Sequence, residues 1–284
     1  MHLRKLLSVL SALNSGAAAA GLLLGLSQHA AATEPSGPDV LGVRVGMTHA
    51  EALAVLRTRA PKENWQTIST TLQFQNSRQD WTAVPGGTFR AVLLEKKQRI
   101  VNESPDSYLV YFSPTPGNER VVAFELTQIY VQQRPLLKDL TAQLVEKFGK
   151  PGEAQYDTQF TWGFDTKGAP RPLSQDQSGA PCRHVQRLAD PKQWGGPSWS
   201  IDYNPMGQIN RKPVDLVSAC GAFMVRARII QSGEGFVTSL NLELIGHELA
   251  TAGKAAALKQ IEEAKAGELA GARDAAKKGP KATF

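Results

Sequence analysis

The sequence predicts an α+β fold made of two tandem halves, each a helix followed by a four-stranded antiparallel sheet, with a further helix at the C-terminus. Three observations carry this expectation. Strand-like segments follow one another with few helices between them. The third and fourth strand candidates of each half are separated by a short turn-forming stretch. The order of helix and then four strands reads twice, over residues 39–132 and 133–246. The antiparallel sheets are expected to carry helices on one face.

Residues 1–32 come first and read as a secretory signal. Arg4 and Lys5 supply a charged end, Leu6 to Leu26 is mostly apolar, and Ala30, Ala31 and Ala32 supply the small residues of a cleavage site before Thr33. Retention as a membrane anchor is the rival reading, against which Ser8, Ser11, Asn14 and Ser15 dilute the apolar run. With no Cys near the junction, lipid attachment there has no support. The mature chain is therefore expected in an exported compartment, most simply a bacterial periplasm, with no transmembrane segment.

Residues 33–38 form a linker. Beyond it, after a brief extended piece, Thr48 and Glu51 spell a T-x-x-E capping box, in which each side chain satisfies an unpaired N–H of a helix's first turn. Leu53 and Leu56, helped by Ala52 and Met47, form the buried face. Arg57 and Arg59 suit the negative end of the helix dipole, and Pro61 ends the helix. Four strand candidates follow: Ile68 to Phe74, Phe89 to Leu94, Tyr108 to Phe112 and Val121 to Val131. The last two flank Pro114, Pro116, Gly117 and Asn118, a turn that predicts an antiparallel hairpin.

The segment from Val121 to Pro151 is the clearest in the chain. Val122, Phe124 and Leu126 alternate with polar or small residues, and the phase slips at Ile129 and Val131, which suits a bulge or the strand's exit. After Pro135 the period becomes helical, with Leu137, Leu140, Leu144 and Phe148 on one stripe, Lys147 in the last turn and Gly149 as the cap. The second half then offers Tyr156 to Phe164, Trp199 to Tyr203, Ala222 to Ile230 and Phe236 to Ile245, the last two flanking the turn Ser232 to Gly235.

The run Gly42 to Thr48, with Ala52 and Leu56 behind it, and the helix ending Phe148-Gly149-Lys150-Pro151 resemble small bacterial envelope lipoproteins of the SmpA/OmlA type. The resemblance implies an envelope protein whose halves share the fold of the β-lactamase inhibitor protein. This chain lacks the lipidated Cys of that family and is about twice as long as its members, so membership of their assembly machine is not carried over.

Cys182 and Cys220, the only two cysteines, read as a disulfide in an exported chain. Closing that loop would stabilise the fold by roughly 4 kcal/mol on the chain-entropy model. A metal at Cys182 and His184 is the alternative. It needs more ligands than the chain offers nearby, His49 and His247 being placed at helix starts, so no metal and no cofactor are expected.

No nucleophile elbow, H-E-x-x-H, phosphate-binding glycine loop or C-x-x-C is present, so no catalytic residue is assigned. His184 beside Asp190 reads as a loop histidine, and Glu125 and Glu243 as solvated charges on outward strand faces. The long segment 165–197 is rich in Pro and Gly, and long loops of this kind are functional or disordered. Arg183 and His184 with Trp194 are the candidate binding residues on it.

Charge argues against nucleic acid as a partner. The net charge is +6, of which Arg4 and Lys5 supply two, so about +4 remains after cleavage. That surplus concentrates in residues 249–284, which hold seven Lys or Arg against four Asp or Glu, leaving the rest nearly neutral. The segment reads as a solvated helix that docks by its first turns, weakened by Gly253, Gly267 and Gly271 and followed by a disordered tail. Weak contact of this basic tail with anionic envelope polymers is the other reading.

Two function classes follow. One is a non-enzymatic envelope-accessory protein that binds another envelope protein through a sheet face or the 165–197 loop. The other is an exported hydrolase whose site is assembled from separate strands.

Overall fold

The computed structural model describes residues 37–61, 64–76, 78–95, 106–173, 182 and 215–277. The chain is α+β. An N-terminal hairpin, β1 (Asp39–Val40) and β2 (Val43–Arg44), leads into α1 (His49–Arg59). Four strands follow, β3 (Trp65–Gln75), β4 (Trp81–Glu95), β5 (Ser107–Phe112) and β6 (Val121–Ile129), then α2 (Leu137–Phe148). The remaining elements are β7 (Glu153–Gln155), β8 (Gln159–Phe164), β9 (Pro170–Arg171), the short α3 (Leu216–Cys220), β10 (Phe223–Gln231), β11 (Val237–Gly246) and α4 (His247–Lys277).

Among the described residues, all strands after β2 belong to one sheet, in the order β3-β4-β5-β6-β11-β10-β8-β7, with β9 added beside β8. Every pairing is antiparallel. The turns expected from Pro114 to Asn118 and from Ser232 to Gly235 join β5 to β6 and β10 to β11, which are hydrogen-bonded neighbours. Pairing of β6 with β11 makes the large sheet continuous, so its strands before and after α2 do not form separate sheets.

Both faces carry helices, which corrects the expectation of one covered face. On the first face, Ala52 and Leu56 of α1 and Leu140, Leu144 and Phe148 of α2 join Phe124, Leu126, Trp162, Val225 and Leu244 in one core. On the second, Ala250 and Ala257 of α4 and Ala219 and Cys220 of α3 pack with Ala91, Tyr111, Met224 and Ile245. A strand's side chains alternate between faces, so two covered faces make the central strands almost continuously buried. In β10, five consecutive residues from Met224 to Arg228 are buried or half-buried for this reason.

Local chemistry accounts for the helix ends. Thr48 N–H donates to Glu51 Oε2 at 2.7 Å while Glu51 N–H donates to Thr48 Oγ1 at 3.2 Å, the reciprocal pair the sequence spells out. The Thr48 N–H and the Thr48 hydroxyl, both donating to Glu51 Oε2, hold the Glu51 carboxyl below the usual carboxylate range. Gly149 closes α2 with φ of 80°, a conformation that favours glycine. Its carbonyl accepts the indole N–H of Trp162 at 2.7 Å, so a buried aromatic from β8 supplies the C-terminal cap of α2.

Two strand expectations need correction. Tyr156 to Phe164 is not one strand: Tyr156 and Asp157, both at positive φ, turn the chain between β7 and β8. β4 begins at Trp81, well before Phe89, because Pro85, Gly86 and Gly87 form a bulge inside the strand rather than a loop. A Cβ on Gly87 would lie 2.9 Å from Val84, so the bulge requires glycine there. The expected strand Trp199 to Tyr203 lies outside the described residues. At Ile129 the phase slip marks the strand's exit, with Ile129 as the last residue of β6 and largely exposed.

α4 is continuous for 31 residues despite its three glycines. Gly253 lets the helix approach closely, since a Cβ there would meet Ser113 and Pro114 at about 3 Å. Docking ends within the first five turns: Ile261 and Ala264 still pack on the second core, whereas Gly267 and Gly271 have nothing within 4 Å of a built Cβ. No helix among the described residues is long and apolar enough to cross a membrane. The tail expected from Lys277 onward lies almost wholly outside them.

Candidate functional site: a buried ionic row

Strand register builds a row of ionisable side chains across the second face. β11 places Glu243 opposite Glu125 of β6 and opposite Arg226 of β10; β8 places Thr161 opposite Arg226 and opposite Glu153 of β7. Residues directly opposite in an antiparallel pair share a face, so Glu125, Glu243, Arg226, Thr161 and Glu153 form one line over five strands. Arg226, Glu243, Thr161 and Glu153 are all buried. The expectation that Glu243 is a solvated charge is therefore overturned, and the cause is the cover over this face, which alternation within one strand does not reveal.

Arg226 Nε donates to Glu243 Oε2 at 2.8 Å, and Nη2 of the same guanidinium reaches the same oxygen. Glu243 Oε1 is buried with no hydrogen-bond partner among the described residues. Glu125, only half-buried, accepts from Asn241 Nδ2 at 2.9 Å, and that amide also donates to Thr127 Oγ1 at 3.1 Å. Where β11 passes into α4, His247 is fully buried. Burial, and then repulsion from the nearby Arg226 guanidinium, push its pKa down to about 4, so the imidazole is neutral at neutral pH. Beside Glu125 and Glu243, under Tyr111 and Ile245, lies a cavity of about 20 Å³, room for a water and not for a substrate.

The disulfide joins this face. Cys182 and Cys220 are bonded, with Cα atoms 5.5 Å apart, and both are fully buried beside α3. Arg171 of β9 donates to the carbonyls of Val217 and Ser218 at 3.2 and 2.7 Å, and Asp215 caps the N-terminus of α3. Leu173, the last described residue before the gap, is buried in the same core. In the sequence, Arg183, His184 and Trp194 fall between two described residues, Cys182, bonded to Cys220, and Asp215, the cap of α3. Those three residues lie outside the described residues, as does Asp190. No group of three or more His, Cys, Asp or Glu side chains that could hold a metal occurs among the described residues.

A second concavity of about 370 Å³ lies at the C-terminal end of α2, lined by Asp39, Lys147, Gly149, Phe164 and Lys167 among others. Lys147 pairs with Asp39 at 3.0 Å. Burial alone would raise the Asp39 pKa, but the Lys147 hydrogen bond, the Gly42 N–H and the charges of Lys147 and Arg44 outweigh it and hold the carboxyl low. One of the two lysines is thus already neutralised.

The ionic row and the Trp162 cap were missed in reading the sequence, although Arg226 between Val225 and Ala227, and Glu243 between Leu242 and Leu244, were a visible signal. When the chain was compared with protein-family models, curated proteins and solved structures, none of them matched.

Proposed function

We propose that this is an exported, periplasmic, non-enzymatic envelope-accessory protein that binds another envelope protein through the segment containing Arg183, His184 and Trp194. The observation that carries this reading is the Cys182–Cys220 bond, which holds the residue preceding Arg183 in the core of the second sheet face; a tether of that kind limits the ordering entropy a contact segment loses on binding. The segment carries a Trp and an Arg, residue types enriched at interface hot spots. The hydrolase reading would recruit His247, Glu243 or Arg226, but these are buried, and the two charged groups are bonded to each other.

The order β3-β4-β5-β6 followed by β11-β10-β8-β7 supports reading the sheet as two helix-then-four-strand halves that meet at β6 and β11. Of the four strands expected in the second half, Ala222 to Ile230 and Phe236 to Ile245 correspond to β10 and β11, Tyr156 to Phe164 contains β8, and Trp199 to Tyr203 lies outside the described residues; the reading is in keeping with the resemblance to SmpA/OmlA-type proteins and the β-lactamase inhibitor protein. Export rests on residues 1–32 and on the disulfide.

The test is crosslinking in cells of the source organism, identification of the captured protein, and binding measurements at two salt concentrations. Changing Arg183, His184 and Trp194 together to Ala is expected to weaken binding at least tenfold at both, and deleting residues 267–284 to leave it unchanged. Loss of specific binding on the tail deletion, with normal binding by the triple variant, would place the recognition surface at the other end of the chain.

A further inference from the structure

The two edges of the sheet differ in length and in chemistry. At one end β7 offers three residues before the chain turns. At the other, β3 runs for eleven residues, Trp-Gln-Thr-Ile-Ser-Thr-Thr-Leu-Gln-Phe-Gln, without one charged residue or proline. Edge strands are ordinarily protected by lysines, prolines, bulges or shortness, because their unpaired N–H and C=O groups are templates for another strand. β3 has none of these devices. Its irregularities, at Ile68/Ser69 and Thr71/Gln73, arise from additional residues on the inner partner β4, including the Pro85-Gly86-Gly87 bulge. Among the described residues its backbone pairs with β4 alone. Gln66, Thr67, Ser69, Gln73 and Gln75 are exposed along it.

We infer that β3 is a self-association edge, on which a second copy of this chain adds its own β3 in antiparallel register about a two-fold axis through Thr70. The sequence of the edge selects this occupant. The register centred on Thr70 is the one that pairs all eleven residues, and it sets Ile68 against Leu72 of the copy on the α4 side. On the α1 side it sets Ser69 against Thr71 and Thr67 against Gln73, polar against polar. With no charge on the strand, no like-charge pair forms anywhere along it, whereas a partner segment of either charge would find no counterpart. Closure about a two-fold consumes both free edges, so the product is a dimer and not a fibre. About ten intermolecular backbone hydrogen bonds would form, joining the two sheets into one.

Sedimentation equilibrium of the purified protein, disulfide intact, is expected to show monomer passing to dimer as concentration rises. The S69K/T71K variant sets lysine against lysine twice across the axis and is expected to stay monomeric with an unchanged circular dichroism spectrum. S69K/T71E, which sets lysine against glutamate, is expected to recover the dimer. Should the double lysine variant fail to fold, mild oxidation of T70C decides separately: Thr70 meets its own copy, so covalent dimers are expected, and T67C, which faces Gln73, is expected to give far fewer. A wild-type protein monomeric at its highest soluble concentration overturns the proposal. So does a dimer that S69K/T71K leaves intact, or equal crosslinking of T70C and T67C.

Discussion

Two transverse rows of this sheet, one residue apart in register, face opposite ways and are held by different physics. On the first face Val110, Phe124, Leu244, Val225 and Trp162 stand opposite one another on five strands, all buried. On the second, the neighbouring residues Glu125, Glu243, Arg226 and Thr161 do the same. The apolar row gains from each side chain separately, through area removed from water and close packing. The ionic row gains only while its members remain paired, because each charge brought out of water carries a desolvation cost that its partner must offset. The first row is a sum of contributions; the second is a mutual dependence.

Truncation separates the two. Trp162→Ala, which empties the space against Phe148 and Phe160 and removes the donor to Gly149, is expected to cost about 3–5 kcal/mol. Arg226→Met alone is expected to cost a similar amount, since it leaves buried Glu243 facing Glu125 without the guanidinium that donates to it. Arg226→Met with Glu243→Leu, however, should recover most of that loss, and no second substitution should do the same for Trp162→Ala. Urea unfolding at pH 7 measures all three variants; a double variant as unstable as Arg226→Met would show that the pair is not the unit.

The next effect is pH. His247 has a folded pKa of about 4 against an ordinary value near 6.5, so between those values the unfolded chain binds the extra proton and stability falls as pH falls. The full difference is about 3 kcal/mol, absent above pH 6.5 and complete below about pH 4. Denaturant midpoints measured from pH 7.5 to 4 should decline over this window, and His247→Gln should flatten that part of the decline. An equal slope in the variant would assign the decline to carboxylates elsewhere.

The smallest effect is expected from the part of α4 that touches neither row. Deleting residues 267–284 removes turns with nothing within 4 Å at Gly267 and Gly271, so thermal stability should change by less than about 0.5 kcal/mol. Any salt-sensitive adhesion to anionic polymers should disappear with the deletion, because such contacts are screened over about 10 Å at 0.1 M salt. Calorimetry and a polymer co-sedimentation assay at two salt concentrations report both.

Sequence by itself determined what depends on near neighbours. The Thr48–Glu51 box, the α2 stripe of Leu140, Leu144 and Phe148, the turns before β6 and β11, and the pairing of the two cysteines rest on residue types whose preferences act over a few positions or on a small choice of partners. Bulge and loop could not be told apart at Pro85 to Gly87, since the same residues serve both. Only the tertiary structure decided that one sheet forms, because β6 and β11 pair across more than a hundred residues and no local preference selects that register. It also decided the fate of Glu243 and Arg226. Each sits on the side of its strand that solvent would cover in a one-faced sheet, and the cover over the second face, arriving from distant parts of the chain, turns two apparently solvated charges into a buried pair.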